Sequence, residues 1–192
     1  MCLPGPSVTS TFNDMARKFL NYVLNHRHSA KVIHIVFDRY FDLSPKSATR
    51  NKRGENVIKY HMHLNASVPQ NWDQFLNCAE NKGSLTKLYK DFICSNRKLI
   101  GGGIQIYIGK GRGDDVIMLK DQQDPVVVDQ LKSDVEEADA RLVLHAVYAG
   151  KNGAKNIVVS SPDTDVLVLL THHQPHIKAK HIYIYTIIAL IL

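Results

Sequence analysis

The chain has 192 residues, 44% hydrophobic and 22% charged, which suits one well-buried globular domain spanning residues 1–192. Its 24 Lys and Arg outnumber 18 Asp and Glu, and the resulting +6 favours an anionic partner such as nucleic acid over a small anionic ligand alone. Cys2, Cys78 and Cys94 are too few and too widely spaced for a disulfide framework or a zinc cage, so a reducing intracellular setting, nuclear included, is expected.

Met1-Cys2-Leu3-Pro4-Gly5-Pro6 carries neither the basic nor the apolar region of a secretory signal. The apolar tail from Ile182 to Leu192 is shorter than the roughly 20 residues a membrane-spanning helix needs, so no membrane association is expected. From Thr11 to about His28, Phe12, Met15, Phe19, Tyr22 and Val23 fall at helical spacing, with Thr11 or Asn13 available as a cap. Lys31 to Phe37 is a short β-branched run ending on Asp38, as expected of a strand buried on both faces. A helix, a buried strand and an acid at the strand's carboxyl end make α/β grammar, in which ligand sites lie at that edge.

Beyond Asp38, the cations Arg39, Lys46, Arg50, Lys52, Arg53 and Lys59 crowd a segment with few acids, and Ser44-Pro45 can open a helical turn there. Such a segment is either a solvated basic face or a surface for phosphate backbone, and its place after a strand-end acid favours the second. Asn71 to Cys94 reads as helical with a break near Lys82-Gly83. Gly101 to Leu119 reads as two strands around Gly109-Lys110-Gly111-Arg112-Gly113, a hairpin and not a phosphate loop, because no helix start follows.

Ser133-x-x-Glu136 is a capping-box pattern that predicts a helix start, with Leu131, Val135, Ala138, Leu142 and Ala146 on one face and Gly150 as the stop. Asn156 to Ser160 is the next buried strand, Asp163 and Asp165 sit in the loop after it, and Val166 to Leu170 begin another helix. If this strand and the one before Asp38 share a parallel sheet, Asp38, Glu136, Glu137, Asp139, Asp163 and Asp165 meet. So many anions repel unless cations offset them, and hard oxygen donors suit Mg2+ or Mn2+. Each acid alone could instead cap a helix; the joint arrangement points to a site.

Glu137-Ala138-Asp139-Ala140 followed by Ser161-Pro162-Asp163-Thr164-Asp165-Val166-Leu167 resembles the flap-endonuclease and PIN-like nuclease superfamily. Val36-Phe37-Asp38, with Pro45, Lys46, Arg50 and Arg53 after it, resembles that superfamily's second acidic motif, in which a basic arch crosses the strand being cut. The likeness spans roughly residues 31–171 and is nearest to a transposon-associated animal branch. It implies a three-layer α/β/α fold around a mainly parallel sheet and Mg2+- or Mn2+-dependent phosphodiester hydrolysis of DNA or RNA. It also implies Asp38, Glu137, Asp139, Asp163 and Asp165 as catalytic metal ligands with Glu136 as a further ligand, and Lys46, Arg50 and Arg53 as holders of substrate phosphate.

The chain departs from the pattern at both ends. No strand ending on Asp precedes Thr11, no Asp or Glu follows Asp165, and residues 172–192 form an atypical tail. A fragment of such a domain, incomplete at both ends, is therefore expected, with a catalytically inactive nucleic-acid-binding domain or a truncated remnant as the alternatives. His61-x-His63 and His172, His173 and His176 lack the well-spaced further ligand of a zinc or copper site.

Overall fold

The computed structural model describes residues 10–27, 29–38, 58–109 and 115–185. Helix α1 (Phe12–Asn25) starts where Thr11 and Asp14 form a reciprocal capping box. It buries Phe12, Met15, Ala16, Phe19, Leu20 and Val23. Strand β1 (Val32–Ile35) follows, then helices α2 (Trp72–Leu76) and α3 (Ala79–Ser95) and a 3-10 turn (Arg97–Ile100). Strands β2 (Gln105–Gly109), β3 (Val116–Lys120) and β4 (Val126–Val127) precede a second 3-10 turn (Asp129–Leu131). Helix α4 (Ala138–Lys151), strand β5 (Asn156–Ser160), helix α5 (Thr164–His173), a 3-10 turn (Gln174–His176) and strand β6 (His181–Tyr185) complete the order.

The architecture is α/β, with mixed and parallel sheets. One sheet has the order β1-β2-β3-β4, parallel between β1 and β2 and antiparallel thereafter, and β5 and β6 form a separate parallel pair. Parallel neighbours need a crossover, supplied by α2 and α3 between β1 and β2 and by α5 between β5 and β6. The expected single sheet carrying both acid-bearing strands is thus corrected: β1 and β5 belong to different sheets. Among the described residues strand β1 is an edge, and this explains a second correction. Only Ile35 is buried in it, while Val32 is 46% exposed.

The pleat of the first sheet separates two cores. Ile106, Ile108, Ile117 and Leu119 join α1 and α3, where Phe19 stacks on Tyr89 with ring centroids 4.5 Å apart. Tyr107, Val116 and Met118 point the other way, with Val128 and Leu131, towards Leu144 and Tyr148 of α4. Each large side chain buried in these layers contributes about 1.5–3 kcal/mol. Helices therefore cover both faces of this sheet.

Helix α4 is the part shared by the two sheets. Arg141, His145 and Tyr148, at i, i+4 and i+7, form a polar stripe facing β1 and β2. Val143 and Ala146, with Leu142 and Val147, face the other way and join Val159, Val166, Leu170 and Ile177 in the core under β5 and β6.

Three local expectations are corrected. The break in the second helical region falls at Asn77-Cys78, and Lys82-Gly83 lies inside α3. Buried Asn81 fixes that junction by donating to the Phe75 and Ile58 carbonyls and accepting from the Tyr60 amide, so tertiary hydrogen bonding overrides the weak helix propensity of glycine. Lys59 is engaged with Glu80 at 2.7 Å on the surface. Next, α4 does not begin at Ser133. The Ser133 hydroxyl accepts from the Val135 amide in a local turn, the backbone stays extended at Glu137, and the helix starts at Ala138. Val135 is exposed, and Leu131 belongs to the Tyr107 cluster, so neither lies on a helix face with Ala146.

Gly150 is not the helix stop either, because α4 runs to Lys151 and Gly153, at φ 88°, makes the left-handed turn. A Cβ on Gly150 would lie 2.8 Å from the backbone nitrogen of Lys178. Gly→Ala inside a helix ordinarily gains about 1 kcal/mol. Here the collision is with backbone, and overpacking costs about 1–3 kcal/mol. Gly150→Ala is expected to lower stability by about 1–2 kcal/mol in urea unfolding; a gain would show that the Lys178 segment yields freely.

Strand β6 lies inside the expected atypical tail. His181, Tyr183 and Tyr185 are exposed, while Ile182 and Ile184 pack inward, the alternation of a one-sided strand. The expected phosphate contacts Arg39, Lys46, Arg50, Lys52 and Arg53, the Ser44-Pro45 turn and the hairpin residues 110–114 lie outside the described residues. Among the described residues no helix is long and apolar enough to cross a membrane.

Candidate functional site

Three chain segments converge where β1 and β5 end and α4 and α5 begin. Asp38 follows β1, and its Oδ1 accepts the backbone N–H of Ala138 at 3.1 Å, from 100 residues further along the chain. This long-range bond supplies what the local capping box does not: it satisfies an orphan amide of α4 with a full negative charge at the positive end of the helix. Glu137 is the N-cap residue of α4 and Asp139 lies in its first turn.

The third segment is the turn into α5. Buried Ser161 accepts the Asp163 amide on its hydroxyl at 3.2 Å. Asp163 caps α5 by accepting the Asp165 amide at 2.9 Å. The amino ends of two helices are thereby aimed at one acidic region, and their dipoles partly offset the repulsion there.

Asp139 reports how close the acids are. Its pKa is raised, first by burial and then by the charges of Asp163, Asp38, Glu137 and Asp165. Four of the other five sequence-predicted acids are therefore within electrostatic reach of Asp139. Glu136 is half-buried and lies one residue before the N-cap, so it is not part of α4 and not the capping-box partner of a helix starting at Ser133. Asp38, Glu137, Asp163 and Asp165 are exposed and Asp139 is half-buried, which makes this an open surface edge.

Among the described residues no three His, Cys, Asp or Glu side chains stand as a group that could hold a metal ion. The carboxylates are gathered at the range of mutual repulsion and are not closed around one point. In chemical kind they are five hard oxygen donors, the set that suits Mg2+ or Mn2+.

Asp139→Asn removes a charge that burial and its neighbours both oppose. It is expected to stabilise the metal-free chain by up to about 1 kcal/mol, as a rise in thermal midpoint. A fall in midpoint would mean that the carboxylate is held by favourable bonds that outweigh the repulsion.

Two groups beside the acids are not singled out by sequence reasoning. Arg141 is 5% exposed, and its Nη1 donates to the Phe37 carbonyl at 2.7 Å. One helical turn further on, His145 Nδ1 lies 2.8 Å from His34 Nδ1 of β1, and the His34 ring stacks on Tyr107 at 4.4 Å. Burial pushes the His34 pKa down to about 4. The His145 pKa goes to about 3, through burial first and then the charges of His34 and Arg141. Both rings are neutral at pH 7, with one Nδ1 donating and the other accepting. The signal for this seam is the i, i+4, i+7 spacing of Arg141, His145 and Tyr148, a polar stripe on a helix that is otherwise apolar between Asp139 and Lys151.

Comparison with protein-family models, curated proteins and solved structures gives no match.

Proposed function

We propose that this chain is a PIN-like nuclease domain that hydrolyses phosphodiester bonds of DNA or RNA with Mg2+ or Mn2+. The observation that carries the proposal is the convergence of acids from three separate segments, with Asp38 bonded to the Ala138 amide of α4 and Asp139 raised in pKa first by burial and then by four acidic neighbours. Proteins seldom gather that much like charge without a cation to offset it. The helices on both faces of the β1–β4 sheet and the position of the acids at strand carboxyl ends support a three-layer α/β/α architecture with its site at that edge.

In this proposal Asp38, Glu137, Asp139, Asp163 and Asp165 hold the metal, with Glu136 as a peripheral donor. Bound Mg2+ or Mn2+ would supply Lewis acidity for the attack of water on phosphorus and for departure of the leaving oxygen. The chain's own contribution is placement. Asp38 is oriented by the Ala138 amide and Asp163 by the turn at Ser161, while the α4 and α5 amino ends favour an anionic substrate beside them. The net charge of +6 draws polyanions to the surface, and Arg39, Lys46, Arg50, Lys52 and Arg53 are the proposed phosphate contacts.

The test is cleavage of branched and single-stranded DNA and RNA with Mn2+, Mg2+ or chelator. Metal-dependent product supports the proposal. Salt-sensitive binding with tight Mn2+ uptake and no product from any substrate would overturn catalysis and leave a nucleic-acid-binding domain.

A further inference from the structure

We infer that Arg141 is the positioning residue of the acidic site, fixing the peptide from which Asp38 reaches α4. The inference rests on the metal-dependent proposal above and adds a residue that carries no ligand atom. Arg141 donates from Nη1 to the Phe37 carbonyl at 2.7 Å, and the next residue, Asp38, accepts the Ala138 amide at 3.1 Å. The two bonds leave adjacent residues of the β1 exit and reach α4 three residues apart, one side-chain donor and one backbone donor. A single bond would leave the exit free to swivel about it. Two bonds, both donated by α4, one to the Phe37 carbonyl and one to the Asp38 carboxylate, fix both the position of the peptide and the direction of the acid.

Strand β2 supplies the back wall. A Cβ at Gly109, its last residue, would lie 2.8 Å from Arg141 Nη2, so the guanidinium occupies the space that a side chain there would take. Arg141 thus bears on the ends of both β1 and β2 from a helix that also packs on the second sheet. Burial to 5% exposure removes most of its solvent, which strengthens the bond to the Phe37 carbonyl.

The experiment titrates Mn2+ into the full 192-residue chain by calorimetry or electron paramagnetic resonance, with circular dichroism reporting the fold. Arg141→Gln is expected to weaken Mn2+ binding by about 10–100-fold, the usual cost of losing a group that orients a ligand. Arg141→Lys recovers part of it, because an ammonium can still donate to the Phe37 carbonyl. Gly109→Ala pushes the guanidinium aside without deleting it and shifts affinity in the same direction, which keeps the test decisive where Arg141→Gln does not fold. Folded Arg141→Gln or Gly109→Ala with undiminished Mn2+ affinity overturns the role of Arg141 alone. An unsubstituted chain that takes up no Mn2+ overturns the metal proposal, and the positioning role with it.

Discussion

Asp163→Asn is expected to reduce metal-dependent cleavage by at least about 100-fold, since even outer-shell changes cost about 10–100-fold. The choice of asparagine matters because Asp163 has two roles. Its carboxylate is a proposed ligand, and its Oδ1 also caps α5 through the Asp165 amide. Asparagine keeps a capping oxygen and loses only the charge, whereas Asp163→Ala loses both and costs about 1 kcal/mol of stability besides. Paired assays of the two variants separate these effects. Both are expected to be inactive, with Asp163→Asn near the parent thermal midpoint and Asp163→Ala below it. Full activity in Asp163→Asn would remove this acid from the site.

Acid should destabilise the fold through the His34–His145 seam. Both folded pKa values are depressed, to about 4 and about 3, from an ordinary 6.5. The stability tied to the neutral rings is complete above pH 6.5, declines as the unfolded chain takes up protons below it, and is gone once pH has fallen through the folded values. One pKa unit corresponds to about 1.4 kcal/mol, so the pair accounts for several kcal/mol. The thermal midpoint is expected to drop by about 10 °C between pH 7 and 4. Asp139 works in the opposite sense, because its raised pKa lets protonation relieve repulsion as pH falls. The check is a midpoint-against-pH curve for the parent and for the double variant His34→Leu with His145→Leu. An equally steep curve in the variant would show that acid acts elsewhere.

The α/β class, the start of α1, the β2–β3 hairpin strands and the existence of β5 were legible because each has a local cause. These causes are an apolar period, a capping pair or a polar residue at an element end. By contrast, β5 is buried only at Val159, and Asp165 lies in the first turn of α5, not in the loop before it. The start of α4 was not legible, since its amide partner is Asp38, which no local pattern connects to Ala138. Gly150 misleads for the same reason: as a stop it satisfies a local rule, but the constraint on it is the Lys178 backbone, 28 residues away along the chain. Exposure of β1 follows from its place at a sheet edge, and strand order is a property of the whole chain. Strand β6 has its signal in the alternation from His181 to Tyr185, which the longer apolar run to Leu192 masks.

Gearing follows from the two-faced helix α4. Its polar stripe engages one sheet and its apolar stripe the other, so its rotational phase is set twice. One inserted or deleted residue between Arg141 and His145 would turn everything beyond it by about 100°. His145 and Tyr148 would leave the tyrosine–histidine seam just as Ala146 and Val147 left the opposite core. Length change in this helix therefore cannot be absorbed by one partner while the other holds, and substitution, not insertion, is the route by which this part of the chain can vary.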